Sequence, residues 1–151
     1  MAMTMNGEYE LLVPPQTVWE KLNDAATLKA CIPGCEQLDK TSDTEFQAVA
    51  TVKIGPVKAK FKGRVTLSDL DPPNSYRISG EGSGGIAGFA KGGATVKLAP
   101  KNGGTLLSYN VDAQIGGKLA QLGQRLVNGA AKKVADDFFA NFANAVNPKA
   151  V

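Results

Sequence analysis

Apolar residues recur at every third or fourth position in the C-terminal part of the chain. They are Leu119, Leu122, Leu126, Ala130, Val134, Phe138, Phe142 and Ala145. This spacing predicts one apolar stripe along a single amphipathic helix from Gly117 to Asn147. At ~1.5 Å per residue the helix would be roughly 40 Å long. Other elements of the chain must therefore cover its stripe.

Shorter segments of alternating apolar and polar residues precede this helix and predict strands. The pattern places strands at residues 5–13, from about 36, on both sides of a turn at 55–56, and at 76–79, 89–98 and 105–115, with short helices at 15–22 and 25–30. Pro14-Pro15 ends the first strand, and Pro15 is suited to the first position of a helix. The segment from Ile32 to Cys35 predicts a type II turn, because Gly34 accepts positive φ.

A β-hairpin is predicted around Gly55-Pro56, a pair compatible with a two-residue type II′ turn. Pairing outward from the turn gives one face of apolar or small pairs: Ile54 with Val57, Val52 with Ala59, Ala50 with Phe61, Ala48 with Gly63 and Phe46 with Val65. The other face pairs Lys53 with Lys58, Thr51 with Lys60, Val49 with Lys62 and Gln47 with Arg64. A shift of one residue would bury four cations, so the register is well specified.

These elements predict a single α+β domain over residues 1–151. An antiparallel sheet with one buried side carries two short helices after its first strand and a closing helix across it. Many groups on the buried side are small, including Ala48, Ala50, Ala59, Gly63, Ala94 and Ala113. Either the helix packs tightly on them, or the concave side encloses a lipophilic pocket. The sequence leaves both outcomes open.

The amino-acid composition limits the binding and catalytic functions that the chain can have. Seventeen basic against fourteen acidic residues give a net charge of +3, which is too small an excess to indicate nucleic-acid binding. The chain contains no His, the commonest general base and metal ligand. We therefore expect no catalytic residues, no metal site and no cofactor. Cys31 and Cys35 cannot form a four-ligand zinc site alone, and we expect ordinary loop thiols rather than a redox pair or a disulfide.

The N-terminal residues lack the basic and apolar regions of a signal peptide. No segment approaches the ~18 uncharged apolar residues that cross a bilayer. These features predict a soluble cytoplasmic protein and leave peripheral contact with the inner face of the cell membrane open.

Three further features have both a functional and a purely structural interpretation. The glycines of Gly80–Gly85 match a dinucleotide-binding pattern, but a strand follows where that motif needs a helix. A mobile hairpin that gates a pocket, or a plain connection, is expected instead. Trp19 is expected to fill the core more than to contact a ligand. The cations Lys53, Lys58, Lys60, Lys62 and Arg64 predict either a solvated strand face or a surface for an anionic partner or acidic lipid.

Several segments resemble the family of the carbon monoxide dehydrogenase G subunit, within the START-like (SRPBCC) helix-grip superfamily. The resemblance rests on residues 13–24, 28–36, 53–57, 61–63, 69–73 and 80–93, and its most specific parts are Cys-Ile-Pro-Gly-Cys-Glu and Gly-Phe-Ala-Lys-Gly-Gly. It implies a curved antiparallel sheet of about seven strands around a long C-terminal helix, enclosing a hydrophobic cavity. It also implies an accessory role for molybdenum hydroxylases, recruited to the cytoplasmic membrane where quinone accepts their electrons. Family members often continue into a membrane-binding tail, and with Val151 as the last residue we expect this anchor to be absent.

The combined prediction is a non-enzymatic domain that binds a lipophilic small molecule, a quinone or isoprenoid-like compound being candidates, and serves a partner oxidoreductase. From their facing and loop position, the expected cavity lining is Trp19, Phe61, Ile86, Phe89, Tyr109, Leu122 and Leu126. Two alternatives stay open. One is a cyclase- or hydrolase-type enzyme of the same superfamily, and the other is a solid-cored interaction module that docks through its basic strand face.

Overall fold

A seven-stranded antiparallel sheet and a long C-terminal helix form the computed structural model, which describes residues 1–147. The elements are β1 (Ala2–Leu11), α1 (Pro15–Leu22), α2 (Ala25–Cys31), β2 (Cys35–Ser42), β3 (Glu45–Ile54), β4 (Val57–Asp71), β5 (Ser75–Ser83), β6 (Phe89–Lys101), β7 (Gly104–Gly116), α3 (Lys118–Gln121) and α4 (Gln124–Val146). The strand order is β1-β7-β6-β5-β4-β3-β2. The predicted helix-grip fold class is thus confirmed.

The register of the β3–β4 hairpin is the one predicted from the sequence. Ile54 pairs with Val57 beside the turn, and Lys53 pairs with Lys58 on the opposite face. Gly55 has φ 55°, the positive value that the turn requires. The apolar face of this hairpin therefore points toward α4, and its cations point to solvent.

The turn between α2 and β2 holds a loop against the hairpin. The Cys35 amide donates to the Ile32 carbonyl at 3.2 Å, and Gly34 has φ 74°, as predicted for a type II turn. The Thr51 amide donates to the Gly34 carbonyl at 2.9 Å. A side chain at position 34 would also collide with the Thr51 carbonyl oxygen. Glycine is therefore required here for both its conformation and its size.

The prediction of one uninterrupted helix over residues 117–147 is wrong. The chain forms α3 and α4, and Gly123 between them has φ 92°, which ends the first helix because the α-helix needs negative φ. The apolar stripe continues across this break, since Leu122 and Leu126 still face the same space. For that reason the spacing of apolar residues alone did not reveal the break at Gly123.

The C-terminal half of α4 packs on a solid core. Phe142 is fully buried, and Phe139 and Val146 are each 9% exposed. They pack with buried residues of the sheet and short helices, including Leu11, Val18, Leu22, Cys31, Phe46, Leu67, Tyr76, Leu98, Leu107 and Tyr109. The Asn141 side-chain amide donates to the Cys31 carbonyl at 3.0 Å, which fixes α4 to α2. Within residues 1–147, no helix combines the length and the apolar character needed to cross a bilayer.

Candidate functional site

A cavity of about 1290 Å³ lies between the sheet and the N-terminal half of α4. Its lining is mostly apolar and comes from β1, the turn after α2, the β3–β4 hairpin, β7, α3 and α4: Met3, Met5, Ile32, Pro33, Ala50, Val52, Ile54, Phe61, Ala90, Ile115, Leu119, Leu122, Leu126, Val127, Ala130, Ala131, Val134, Ala135 and Phe138 among them. Both outcomes that the sequence left open are therefore present. The helix packs tightly on the sheet at the C-terminal end of α4, and a lipophilic pocket lies beneath its N-terminal end.

Side-chain size explains why the two ends differ. Along α4, Ala130, Ala131 and Ala135 face the cavity, whereas phenylalanines occupy positions 138, 139 and 142. On the sheet, the cavity wall likewise carries the small residues Ala50 and Ala90. Protein interiors are normally packed to crystal-like density. Small residues on both walls therefore leave space between the sheet and this half of α4.

The deep end of the cavity is closed by buried apolar side chains. Met3 is 8% exposed, Leu119 is 5% exposed and Val127 is 4% exposed. The segment that carries Leu119 is α3, a single turn held between two glycines with positive φ, Gly117 and Gly123.

The mouth is defined by the exposed lining residues, which lie at the hairpin tip, the turn after α2 and the outer side of α4. They are Gly34, Lys53, Gly55, Arg125, Leu126, Gly129, Lys133 and Val134. The Leu126 Cδ2 atom lies 3.0 Å from the position that a Cβ on Gly55 would occupy. Hairpin and helix thus touch at this point. Lys133 forms an ion pair with Asp137 at 2.8 Å.

The structure brings three of the seven predicted lining residues to the cavity: Phe61, Leu122 and Leu126. Trp19 instead packs edge-on against Tyr76, with ring centroids 5.1 Å apart. Tyr109 is on the predicted face of β7 but lies in the solid half, stacked on Phe139 at 5.3 Å. Both are core residues rather than lining residues.

Ile86 and Phe89 also lie outside the cavity. Ile86 is 82% exposed in a short 3₁₀ helix, Gly85–Ala87, where Ala87 takes the buried position. Phe89 is on the outer face of β6, because strand alternation turns Ala90 toward α4. Its ring covers Gly116, its cross-strand partner. The glycine-rich segment before them is the end of β5, paired with β4 and β6, and residues 84–88 connect β5 to β6. The gating role of this hairpin stays a prediction.

Sequence reasoning missed the lining contributed by Met3, Met5 and the alanines of α4. The two methionines lie on one face of β1, two residues apart, and this alternation was a usable signal. Of the alanines, only Ala130 belonged to the predicted stripe, and Ala131 and Ala135 were not identified. Nothing in the sequence showed at which end of the helix the space would remain.

The predicted basic surface is exposed and partly neutralised. Lys60 pairs with Glu36 at 3.2 Å, and Arg64 pairs with Glu45 at 3.5 Å. Lys62 and Arg64 also line a separate groove of about 550 Å³ on the outer face of the sheet, beside Phe89 and Lys91. Lys53 differs from the rest of this surface, since it lines the cavity mouth.

A polar cluster ties α4 to the edge strand β1. The Tyr9 hydroxyl donates to Asp136 Oδ1 at 2.9 Å, and Lys132 donates to Asp136 Oδ2 at 2.8 Å. Burial, followed by the hydrogen bond to Asp136, raises the pKa of Tyr9 to about 12. Burial also raises the pKa of both cysteine thiols. None of these shifts moves a group toward acid–base work at neutral pH, and residues 1–147 hold no cluster of ligands suited to a metal ion.

Comparison with known proteins identifies the relatives of this architecture. The family of the carbon monoxide dehydrogenase G subunit (CoxG) matches residues 7–147. The chain belongs to the CoxG family. None of the curated proteins matches it.

Solved structures similar to this CoxG-family chain share its fold over nearly the whole length. A conserved protein from Geobacillus kaustophilus is 33% identical with a TM-score of 0.89, and the match covers 95% of both chains. A protein from Chromobacterium violaceum is 17% identical with a TM-score of 0.70, covering 97% of this chain and 99% of that one. The aromatase/cyclase Zhui from Streptomyces sp. R1128 is 15% identical with a TM-score of 0.64, covering 97% and 92%. The last two show the helix-grip fold alone.

Proposed function

We propose that this CoxG-family domain is a non-enzymatic accessory protein that binds a lipophilic small molecule, a quinone being the leading candidate, and serves a molybdenum hydroxylase at the cytoplasmic membrane. The observation that carries the proposal is the cavity of about 1290 Å³. This volume exceeds the roughly 300–1000 Å³ usual for small-molecule sites. It suits a long or branched ligand.

The wall chemistry favours an apolar occupant over water. At about 30 Å³ per molecule, the space corresponds to on the order of forty waters, which would face methyl and aromatic groups over most of the wall. A ligand that buries about 330 Å² of apolar surface gains about 8 kcal/mol at ~25 cal/mol per Å². Association also costs translational and rotational freedom, so the expected affinity is micromolar or weaker, which suits reversible loading and release.

The partner and location rest on the family. Its description names a component of carbon monoxide dehydrogenase, and the sequence resemblance implies an accessory role for molybdenum hydroxylases. An apolar cavity suits a protein that handles quinone between the hydroxylase and the membrane. The charged residues that line the cavity are Lys53, Arg125, Lys133 and Asp137, and this set supports binding over cyclase-type catalysis.

The test is native mass spectrometry of the purified protein before and after addition of a short-chain quinone analogue. We expect a one-to-one complex, or an apolar molecule already bound and extractable with organic solvent. Ala130→Phe projects a ring into the cavity and should weaken the complex. Ala140→Phe places the same side chain on the exposed side of α4 and should leave it intact. Failure of the wild-type protein to bind any apolar molecule would overturn the proposal.

A second candidate function, docking to an acidic protein surface, is favoured by the groove on the outer face of the sheet. Three cations, Lys62, Arg64 and Lys91, line this groove together with Glu81 and Phe89, and Arg and aromatic residues are enriched at interface centres. Binding of a purified hydroxylase, measured by calorimetry, separates the two functions. Loss after Lys62→Gln/Lys91→Gln with retention after Ala130→Phe would favour docking.

A further inference from the structure

Charge is distributed unevenly around the cavity. The deep residues Met3, Leu119 and Val127 are apolar and at most 8% exposed. The charged residues that line the cavity belong to the mouth or lie one helical turn from it: Lys53, Arg125, Lys133 and Asp137. A guest with one polar end would therefore leave that end at the mouth, since burying it unpaired at the deep end costs free energy.

Two of these mouth cations lack an acidic partner. Lys133 is held by Asp137 at 2.8 Å. Within residues 1–147, neither Lys53 nor Arg125 forms a salt bridge. Lys53 lines the mouth from the β3–β4 hairpin, and Arg125 lines it from the first turn of α4. The mouth thus carries two cations that no salt bridge within residues 1–147 neutralises.

The position of Arg125 is not explained by helix stability. It lies in the first turn of α4, where no acidic residue is present. The start of a helix carries partial positive charge and favours acids over cations. Residues that contradict such local preferences are expected at functional positions.

We infer that the cavity takes an amphiphile tail first, and that the oxygen-bearing head group stays at the mouth and accepts hydrogen bonds from Lys53 and Arg125. This inference rests on the proposed function and adds the orientation and polarity of the ligand. An anionic head group, carboxylate or phosphate, binds more tightly than a neutral one of equal chain length. A quinone carbonyl meets the same donors as a neutral acceptor, with less electrostatic gain.

The solvent exposure of Lys53 and Arg125 limits how strongly the mouth prefers an anionic head group. The Arg fork and the Lys ammonium make charge-assisted hydrogen bonds to carboxylate and phosphate, but exposed ion pairs contribute only about 0.2–1 kcal/mol each. Two such contacts give roughly a two- to thirtyfold preference for the anion at low salt. The preference should nearly vanish in 1 M salt, where the Debye length is about 3 Å.

The test is displacement of a lipophilic fluorophore by dodecanol, dodecanoate and dodecyl phosphate, each kept below its micelle concentration. We expect dodecanoate and dodecyl phosphate to displace the dye at several-fold lower concentration than dodecanol. In Lys53→Met/Arg125→Met the preference should disappear while dodecanol binds as before. Lys60→Met/Arg64→Met removes the same charge from the outer face and should preserve it. The ratio of the two anions tells a carboxylate ligand from a phosphate ligand.

Two results would overturn the inference in distinguishable ways. Equal binding of all three probes, or a preference for the anions that survives Lys53→Met/Arg125→Met, would show that the two cations do not bind the head group. The proposed function would not be affected by that result. No displacement by any probe means that the cavity takes no apolar chain. In that case the proposed function fails together with the inference.

Discussion

Gly7 shows how one missing side chain shapes the contact between β1 and α4. It pairs with Tyr109 on β7, and a Cβ at position 7 would lie 2.8 Å from the Tyr109 hydroxyl oxygen and 2.9 Å from its ring. The Tyr109 ring, stacked on Phe139, occupies this space. The Tyr109 ring thus reaches over β1 because residue 7 is glycine.

Gly7→Ala should lower the free energy of unfolding by about 1–3 kcal/mol, the usual cost of overpacking, as measured by urea denaturation. Gly80→Ala is the matched control, since a Cβ there would meet its nearest atom at 3.5 Å, and it should cause little change. In a Tyr109→Leu background the Gly7→Ala penalty should shrink. A full penalty in that background would show that the clash is with something other than the ring.

The Asp136 cluster predicts an acid dependence of stability. The hydrogen bond from Lys132, and next the one from Tyr9, hold the pKa of Asp136 below its ordinary value. The folded state therefore binds this proton less well than the unfolded chain, where Asp has a pKa of about 3.9. The stabilisation is present above the unfolded value and is lost as pH falls through the folded one.

Asp136→Asn should consequently flatten the decline in unfolding free energy below about pH 4, measured by denaturant titrations at a series of pH values. Lys132→Met should flatten it more than Tyr9→Phe, because Lys132 is the larger cause of the shift. The same acid limb in wild type and Asp136→Asn would contradict the assignment.

At the scale of elements, the sequence predicted what alternation and turn chemistry determine. The β3–β4 register follows from the cost of burying four cations, and the turn at Gly34 follows from its φ. The break at Gly123 was missed because a single glycine with positive φ leaves the apolar spacing intact. Tyr109 was assigned to the cavity because position along a strand indicates a face but not which end of the helix lies above it, whereas Phe89 was assigned to the wrong face of β6.

The break between α3 and α4 predicts opposite effects of two identical substitutions. Gly123→Ala places a side chain at φ 92° and should destabilise the fold by roughly 1–2 kcal/mol. Gly129→Ala lies inside α4 with open space around its Cβ and should stabilise it by up to about 1 kcal/mol. Thermal unfolding of both variants measures the difference. If both substitutions changed the stability in the same direction and by the same amount, residue 123 would tolerate ordinary helical geometry.

At the scale of the whole molecule, one helix rests on two different surfaces. Its C-terminal half is fixed on a solid core by Phe139, Phe142 and the Asn141 hydrogen bond. Its N-terminal half spans the cavity on alanine and glycine positions. The fixed half supplies the stability that lets the other half remain hollow. The fold class was predictable from the sequence, whereas this division required the packing.

The most direct test of the account is calorimetric titration of the protein with a short-chain quinone analogue at several temperatures. We expect one-to-one binding at micromolar or weaker affinity with a negative heat-capacity change, the signature of apolar burial. Binding should be weaker in Ala130→Phe and unchanged in Ala140→Phe. Absence of saturable binding, or binding that Ala130→Phe leaves unchanged, would contradict it.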